Sequence, residues 1–76
     1  MPGSKVILVA EFKNYRIGGD EMDKLIGTAM RVRFRGRPAS LSDVILFCRG
    51  FTREAQSRAQ ELEQELNIRI SFKVVP

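Results

Sequence analysis

Residues 6–13 read VILVAEFK, an apolar run that ends in Glu11, Phe12 and Lys13. The run is too short for a typical helix, and continuous apolar residues are typical of a buried strand. Successive side chains alternate between the two faces of a strand, so Glu11 and Lys13 share one face and Phe12 takes the other. Because removing charged groups from water costs free energy, this pair needs a structural reason. It is either a mutual ion pair or part of a metal-and-phosphate site.

Three strands are predicted from the apolar pattern. The first covers about Lys5–Phe12, and the second is the continuous apolar run Val44–Cys48. These two are expected at the centre of the sheet. The third strand, Ile68–Val75, alternates apolar and polar residues, with Ile68, Ile70, Phe72 and Val74 inward, which is typical of a half-exposed strand nearer an edge.

Helical spacing of apolar residues predicts two helices between the strands. The first begins at Glu21 with Asp20 as its N-cap, continues to about Phe34 and stops at Gly36. A short extra strand is the alternative for its last part, since Val32 and Phe34 alternate with arginines.

The second helix covers Arg53–Leu66, with Thr52 as N-cap and Asn67 in the left-handed position after its end. The element order is therefore β-α-β-α-β. Helical crossovers favour parallel strands, so the sequence predicts an α/β fold with a three-layer core and a small, mainly parallel sheet.

Composition limits the classes of function. With 76 residues the chain is one small domain, predicted over 5–76, after a flexible start or cloning remnant at 1–4. The sequence contains no histidine, which excludes Ser-His-Asp triads and histidine-ligated zinc within it. No apolar stretch approaches the roughly 20 residues needed to span a bilayer, so no membrane partner is expected. Cys48 is the single cysteine, and it suits a reducing, cytoplasmic compartment.

Positive charge is concentrated in the first half of the chain. The net charge is +4, and residues 1–38 account for all of it. The excess lies in the arginine cluster, here defined as Arg16, Arg31, Arg33, Arg35 and Arg37. Such a cluster attracts phosphate polyanions, so these arginines are predicted to bind nucleic acid; the alternative is a solvated face that maintains solubility.

The string Val9-Ala10-Glu11-Phe12-Lys13-Asn14-Tyr15 resembles the second half of the signature of PD-(D/E)XK nucleases, which include restriction endonucleases. The later elements are similar to the same family: a helix, an apolar strand leading into Gly50-Phe51, a helix with paired alanines and a final strand. The resemblance covers about residues 5–75. It implies the carboxyl-terminal part of a restriction-endonuclease-like fold.

The resemblance also implies a chemistry. A nuclease of this family is a Mg²⁺-dependent hydrolase that cleaves DNA, and oxygen ligands suit Mg²⁺. By resemblance, Glu11 and the backbone carbonyl of Phe12 are metal ligands. Lys13 then orients the attacking water or stabilises developing negative charge, so Glu11 and Lys13 are the catalytic candidates.

One part of the family pattern is absent. The family places an aspartate on an earlier strand, and no acidic residue precedes Glu11. Three interpretations remain open: part of a longer nuclease, a homo-oligomer or other assembly in which another chain supplies the aspartate, or a scaffold that binds without cutting. The alternative function is accordingly a non-catalytic module for nucleic-acid binding, protein interaction or oligomerisation.

Overall fold

The chain folds as two βα units followed by a last strand. The computed structural model describes residues 6–31, 33–34, 36–38 and 40–76. The prediction for residues 1–4 and the position of Lys5 therefore lie outside the described residues. In chain order, the elements are β1 Val6–Phe12, β2 Arg16–Ile17, a 3₁₀ turn Gly19–Glu21, α1 Met22–Met30, β3 Arg33–Phe34, β4 Arg37–Pro38, β5 Ser40–Cys48, β6 Gly50–Phe51, α2 Arg53–Leu66 and β7 Arg69–Val74.

The main sheet is parallel and has the strand order β1-β5-β7. The predicted α/β class with a small, mainly parallel sheet is thus confirmed. β5 is central, as predicted, and β7 is an edge strand. The prediction that β1 is also central is wrong within the described residues, where β1 forms the other edge.

Both helices pack on one face of the sheet. The buried residues of β5 are Val44, Leu46 and Cys48, which alternate along the strand and form one core with both helices. The helices contribute Met22, Leu25, Ile26, Ala29, Ala55, Ala59 and Leu62. The structure is compatible with the predicted three-layer core, of which the described residues build the sheet and one helical layer.

The opposite side of the sheet, here called the open face, follows from strand alternation and register. It consists of Leu8, Ala10 and Phe12 from β1, Asp43, Ile45 and Phe47 from β5, and Arg69, Ser71 and Lys73 from β7. No helix in the described part of the chain covers this face.

The start of the first helix differs from the prediction. Asp20 is not its N-cap, because a 3₁₀ turn occupies Gly19–Glu21 and α1 begins at Met22. The backbone N–H of Gly18 donates to the Glu21 carboxylate (3.2 Å), so the acidic side chain that serves the start of this turn is Glu21. Gly19 is required here because a Cβ atom at this position would lie 2.8 Å from that of Glu54.

The end of the first helix also differs. α1 ends at Met30, not at Phe34, and the chain then forms an antiparallel hairpin of β3 and β4. The extra strand that was the alternative is therefore present. Gly36 has φ +78° and lies in the hairpin turn, so it reverses the chain instead of ending a helix.

The second half of the chain follows the local signals closely. α2 has the predicted bounds, the Thr52 hydroxyl accepts the N–H of Ala55 (3.1 Å), and Asn67 has φ 54°. Phe51 and Phe72 stack with ring centroids 4.3 Å apart. Val74 is 55 % exposed although it was predicted to face inward, because it lies at the last rung of an edge strand.

Candidate functional site

Glu11 and Lys13 lie at the carboxyl end of β1. Glu11 is opposite Leu46 of β5, so its side chain is on the helix-covered face, and Phe12 is on the open face. The backbone N–H of Lys13 donates to the Phe47 carbonyl (2.8 Å), which extends the ladder past the end of the strand. Both charged side chains are half-buried. The strand geometry thus confirms that Glu11 and Phe12 lie on opposite faces.

The Glu11 carboxylate has an unusual environment. Its Oε2 atom is buried and has no hydrogen-bond partner among the described residues. No ion pair joins Glu11 to Lys13 among the described residues, so the interpretation of the pair as a mutual salt bridge is wrong. A buried polar atom without a partner costs about 1–3 kcal/mol, and a cation, a water molecule or a ligand donor would remove that cost.

Tyr15 lies within electrostatic range of this carboxylate and also interacts with Glu21. A hydrogen bond to Glu21 raises the pKa of Tyr15 above its ordinary value, and partial burial and the negative charges of Glu21 and Glu11 act in the same direction. The same Glu21 carboxylate accepts the N–H of Gly18. Sequence reasoning assigned Glu21 only to the start of a helix, and its spacing from Glu11 gave no signal that the two residues share a neighbour.

Asp23 is occupied elsewhere. It binds the Arg58 guanidinium (Nε to Oδ1, 2.8 Å), and Glu61 and Glu65 bind the same group. These carboxylates hold the pKa of Arg58 above its usual range. The network joins α1 to α2 at the protein surface. Asp23 is therefore not available as a second metal-binding carboxylate beside Glu11.

Arg49 connects the carboxyl ends of all three main strands. It follows β5 directly, and its Nε donates to the Asn14 side chain beyond β1 (2.7 Å). Its Nη1 donates to the carbonyls of Val75 and Pro76 beyond β7. The backbone N–H of Arg49 also donates to the Tyr15 carbonyl (3.1 Å). The loop that follows Glu11 is therefore fixed to the rest of the sheet.

The arginine cluster is divided between the two ends of the sheet. Arg16 is exposed on β2, which pairs with β6 at the same end as Glu11. Arg31 is exposed at the other end of α1, and Arg33 and Arg37 lie on the hairpin that leads into the start of β5. Arg35 lies outside the described residues. Because β1 is seven residues long, the two ends are on the order of 20 Å apart.

A shallow depression of about 370 Å³ lies at the amino ends of β5 and β7. Asp43 lines it, accepts a hydrogen bond from Ser42 (2.7 Å) and pairs weakly with Arg69 (3.8 Å). Ligands of open parallel sheets gather at the carboxyl ends of strands, which is the opposite end. The depression and the Glu11 carboxylate therefore lie at opposite ends of the sheet. Of the two, the Glu11 carboxylate is the better candidate for a functional site.

The residues fit only part of a metal site. In the described part of the chain, no group of three or more acidic or cysteine side chains is arranged to hold a metal ion. Glu11 offers one unpartnered oxygen, and further ligands must come from backbone carbonyls, solvent or another polypeptide.

The chain was compared with family models, curated proteins and solved structures. No match was found. Among the described residues, neither helix is long and apolar enough to cross a bilayer.

Proposed function

We propose that the protein is a DNA-binding, nuclease-like domain in which the end of β1, with Glu11 and Lys13, supplies part of a Mg²⁺ site. The observation that supports this function best is the buried Oε2 of Glu11 at the carboxyl end of β1, which has no hydrogen-bond partner in the described part of the chain. An oxygen without a donor is suited to a hard cation, which prefers carboxylate and carbonyl ligands.

The proposed roles follow from position. Glu11 and the Phe12 carbonyl would be ligands of the metal. A bound Mg²⁺ would stabilise charge on a phosphodiester and lower the pKa of a water molecule. Lys13, on the same strand end, holds the phosphate or the water in place. Because one carboxylate binds Mg²⁺ weakly, cleavage requires a second carboxylate from outside the described residues.

The test is Mg²⁺ titration of the isotope-labelled protein, observed by amide NMR. We expect shifts at residues 11–15 that saturate at millimolar Mg²⁺, and we expect Glu11→Gln to abolish them. Glu54→Gln is the matched control, because Glu54 is an exposed carboxylate on α2. Equal shifts in the Glu11 variant and in the unmodified protein would refute the metal site.

Nuclease activity is measured separately. We expect cleavage of DNA with Mg²⁺ to be weak or absent for this chain alone and to appear when the missing carboxylate is supplied by a longer polypeptide. Glu11→Ala must then abolish it. Cleavage that persists in this variant would show that the activity belongs to another site.

The alternative is a module that binds nucleic acid without metal, and the position of the hairpin favours it. Arg33 and Arg37 lie on β3 and β4, at the end of the sheet opposite Glu11, so phosphate binding there does not need the metal. Each lost phosphate contact reduces the slope of log K against log salt by about 0.9. Replacing both arginines by alanine should reduce it by up to about 1.8.

The control for the hairpin is a double variant with the same loss of charge, Arg53→Ala with Arg69→Ala. We expect it to change the salt dependence much less than the hairpin variant does. DNA binding that weakens equally in both double variants would indicate attraction by net charge alone. A cytoplasmic location remains a prediction from composition.

A further inference from the structure

The open face of the sheet exposes apolar residues that a folded domain normally covers. Leu8 is 55 % exposed and Phe12 is 56 % exposed, and both lie on β1 beside Ala10, which is also exposed. Ile45 and Phe47 continue this surface on β5 and are only half-buried. Two adjacent strands thus present one continuous apolar surface.

The packing of parallel sheets indicates that another molecule or segment covers this surface. Parallel sheets occur almost only with both faces covered, and here both helices lie on the other face. A contiguous apolar patch on a small protein usually marks a binding surface. The apolar run of β1 agrees with this, because it has the composition of a strand buried on both sides.

The third strand gives the open face a basic margin. Arg69 is 79 % exposed, and Lys73 is exposed with no ion pair among the described residues. Asp43 is the single carboxylate among the described residues of this face, and it already lies 3.8 Å from Arg69. The face is therefore apolar along β1 and β5 and net positive along β7.

We propose that the open face binds an amphipathic α-helix of a partner protein, with an apolar stripe over β1 and β5 and acidic residues on the flank over β7. Three strands span about 10 Å between the outer two, and seven residues of strand are about 23 Å long. One helix of about 15 residues has matching dimensions. A second copy of the chain fits less well, because its open face would bring a second basic margin and no unpaired carboxylate.

This inference does not depend on the proposed metal site, because Glu11 is on the other face of the sheet. The probe is a synthetic helical peptide of about 15 residues, with leucine at helical spacing and glutamate on one flank. Its binding is measured by fluorescence anisotropy. A peptide with lysine in place of each glutamate should bind about tenfold more weakly, and the difference should shrink with added salt.

Three variants of the protein locate the binding surface. Phe12→Glu should weaken binding of the acidic peptide by about tenfold or more, whereas Gln60→Glu, the same change of charge on exposed α2, should weaken it less than threefold. Lys73→Glu should reverse the preference, so that the lysine peptide binds more tightly than the glutamate peptide. Circular dichroism verifies that each variant is folded.

Sedimentation of the unmodified protein completes the test. Self-association that Phe12→Glu abolishes would identify a second copy as the occupant and overturn the proposal. Failure of both peptides to bind, or equal binding to the Phe12 variant, would also overturn it. If Lys73→Glu reverses the preference for the glutamate peptide over the lysine peptide, binding involves the basic residues of β7. An apolar surface that binds any helix would show no such reversal.

Discussion

Replacing Glu11 by methionine should stabilise the protein when no metal is present. Methionine has a similar length and removes the buried oxygen that has no partner among the residues the structure describes. The full cost of such a group is about 1–3 kcal/mol, and Glu11 is only half-buried, so we expect a gain near the lower limit, about 1 kcal/mol. In urea unfolding with EDTA, the free energy of unfolding falls by about 1 kcal/mol per molar urea. The midpoint of Glu11→Met should therefore lie about 1 M above that of the unmodified protein.

Added Mg²⁺ should make the unmodified protein more stable than Glu11→Met. At a concentration tenfold above its dissociation constant, a ligand that binds only the folded state adds about 1.4 kcal/mol. The unmodified protein gains this amount and Glu11→Met gains nothing, since the metal-binding oxygen is absent. Unfolding is followed by far-ultraviolet circular dichroism.

Glu63→Met is the matched control. Glu63 is also half-buried, but its Oε2 accepts the backbone N–H of Ile70 (2.8 Å). The same substitution there removes a bond to a charged group and should destabilise the protein by about 1.5–3 kcal/mol. If Glu11→Met lowers stability in EDTA as Glu63→Met does, Oε2 has a partner in solution and the argument for a cation is refuted.

Three further predictions follow from local geometry. Ultraviolet titration of Tyr15, the single tyrosine, should give a pKa above the ordinary value of about 10, and Glu21→Gln should lower it; an unchanged pKa would contradict the hydrogen bond. Because folding raises the pKa of Tyr15, its protonated hydroxyl stabilises the folded state below about pH 10. This stabilisation is lost as pH rises through the pKa that Tyr15 has in the folded protein. Gly36→Ala should destabilise the protein by about 1–2 kcal/mol in chemical denaturation, because φ at this position is +78°. Gly27→Ala, inside α1 with open space around it, should stabilise the protein by about 0.5–1 kcal/mol. Equal effects of the two substitutions would contradict the hairpin turn at Gly36. Thr52→Ala should cost about 1 kcal/mol and Thr52→Ser much less, measured as thermal midpoints, because only serine retains the N-cap oxygen.

Local sequence signals predicted the second half of the chain well. Thr52 and Asn67 have the predicted backbone roles at the two ends of α2, and the apolar stripe between them needs no distant information. The end of α1 could not be predicted in this way. Arginine and methionine are good helix formers, and pairing of β3 with β4 across Gly36 determines the outcome.

The position of Glu11 was predictable, and its surroundings were not. Strand alternation places its side chain correctly. The interaction of Glu21 with Tyr15, which Glu11 also influences, depends on a 3₁₀ turn that no sequence signal predicted. Separation of the hairpin arginines from Glu11 was predictable in principle. In a βαβ unit the helix returns the chain to the start of the sheet, so residues after α1 must lie at the amino end.

The strand order also has a consequence for folding. β1 has no pairing partner in the main sheet until β5 is made, about 35 residues later, and β7 pairs with that same central strand. Contacts of this sequence separation form slowly, because closing a long loop precedes the gain from pairing. On the ribosome, the apolar segment 6–12 therefore remains without its sheet neighbour until residues 40–48 have emerged. During that interval it is the part of the nascent chain most exposed to chaperones and to aggregation.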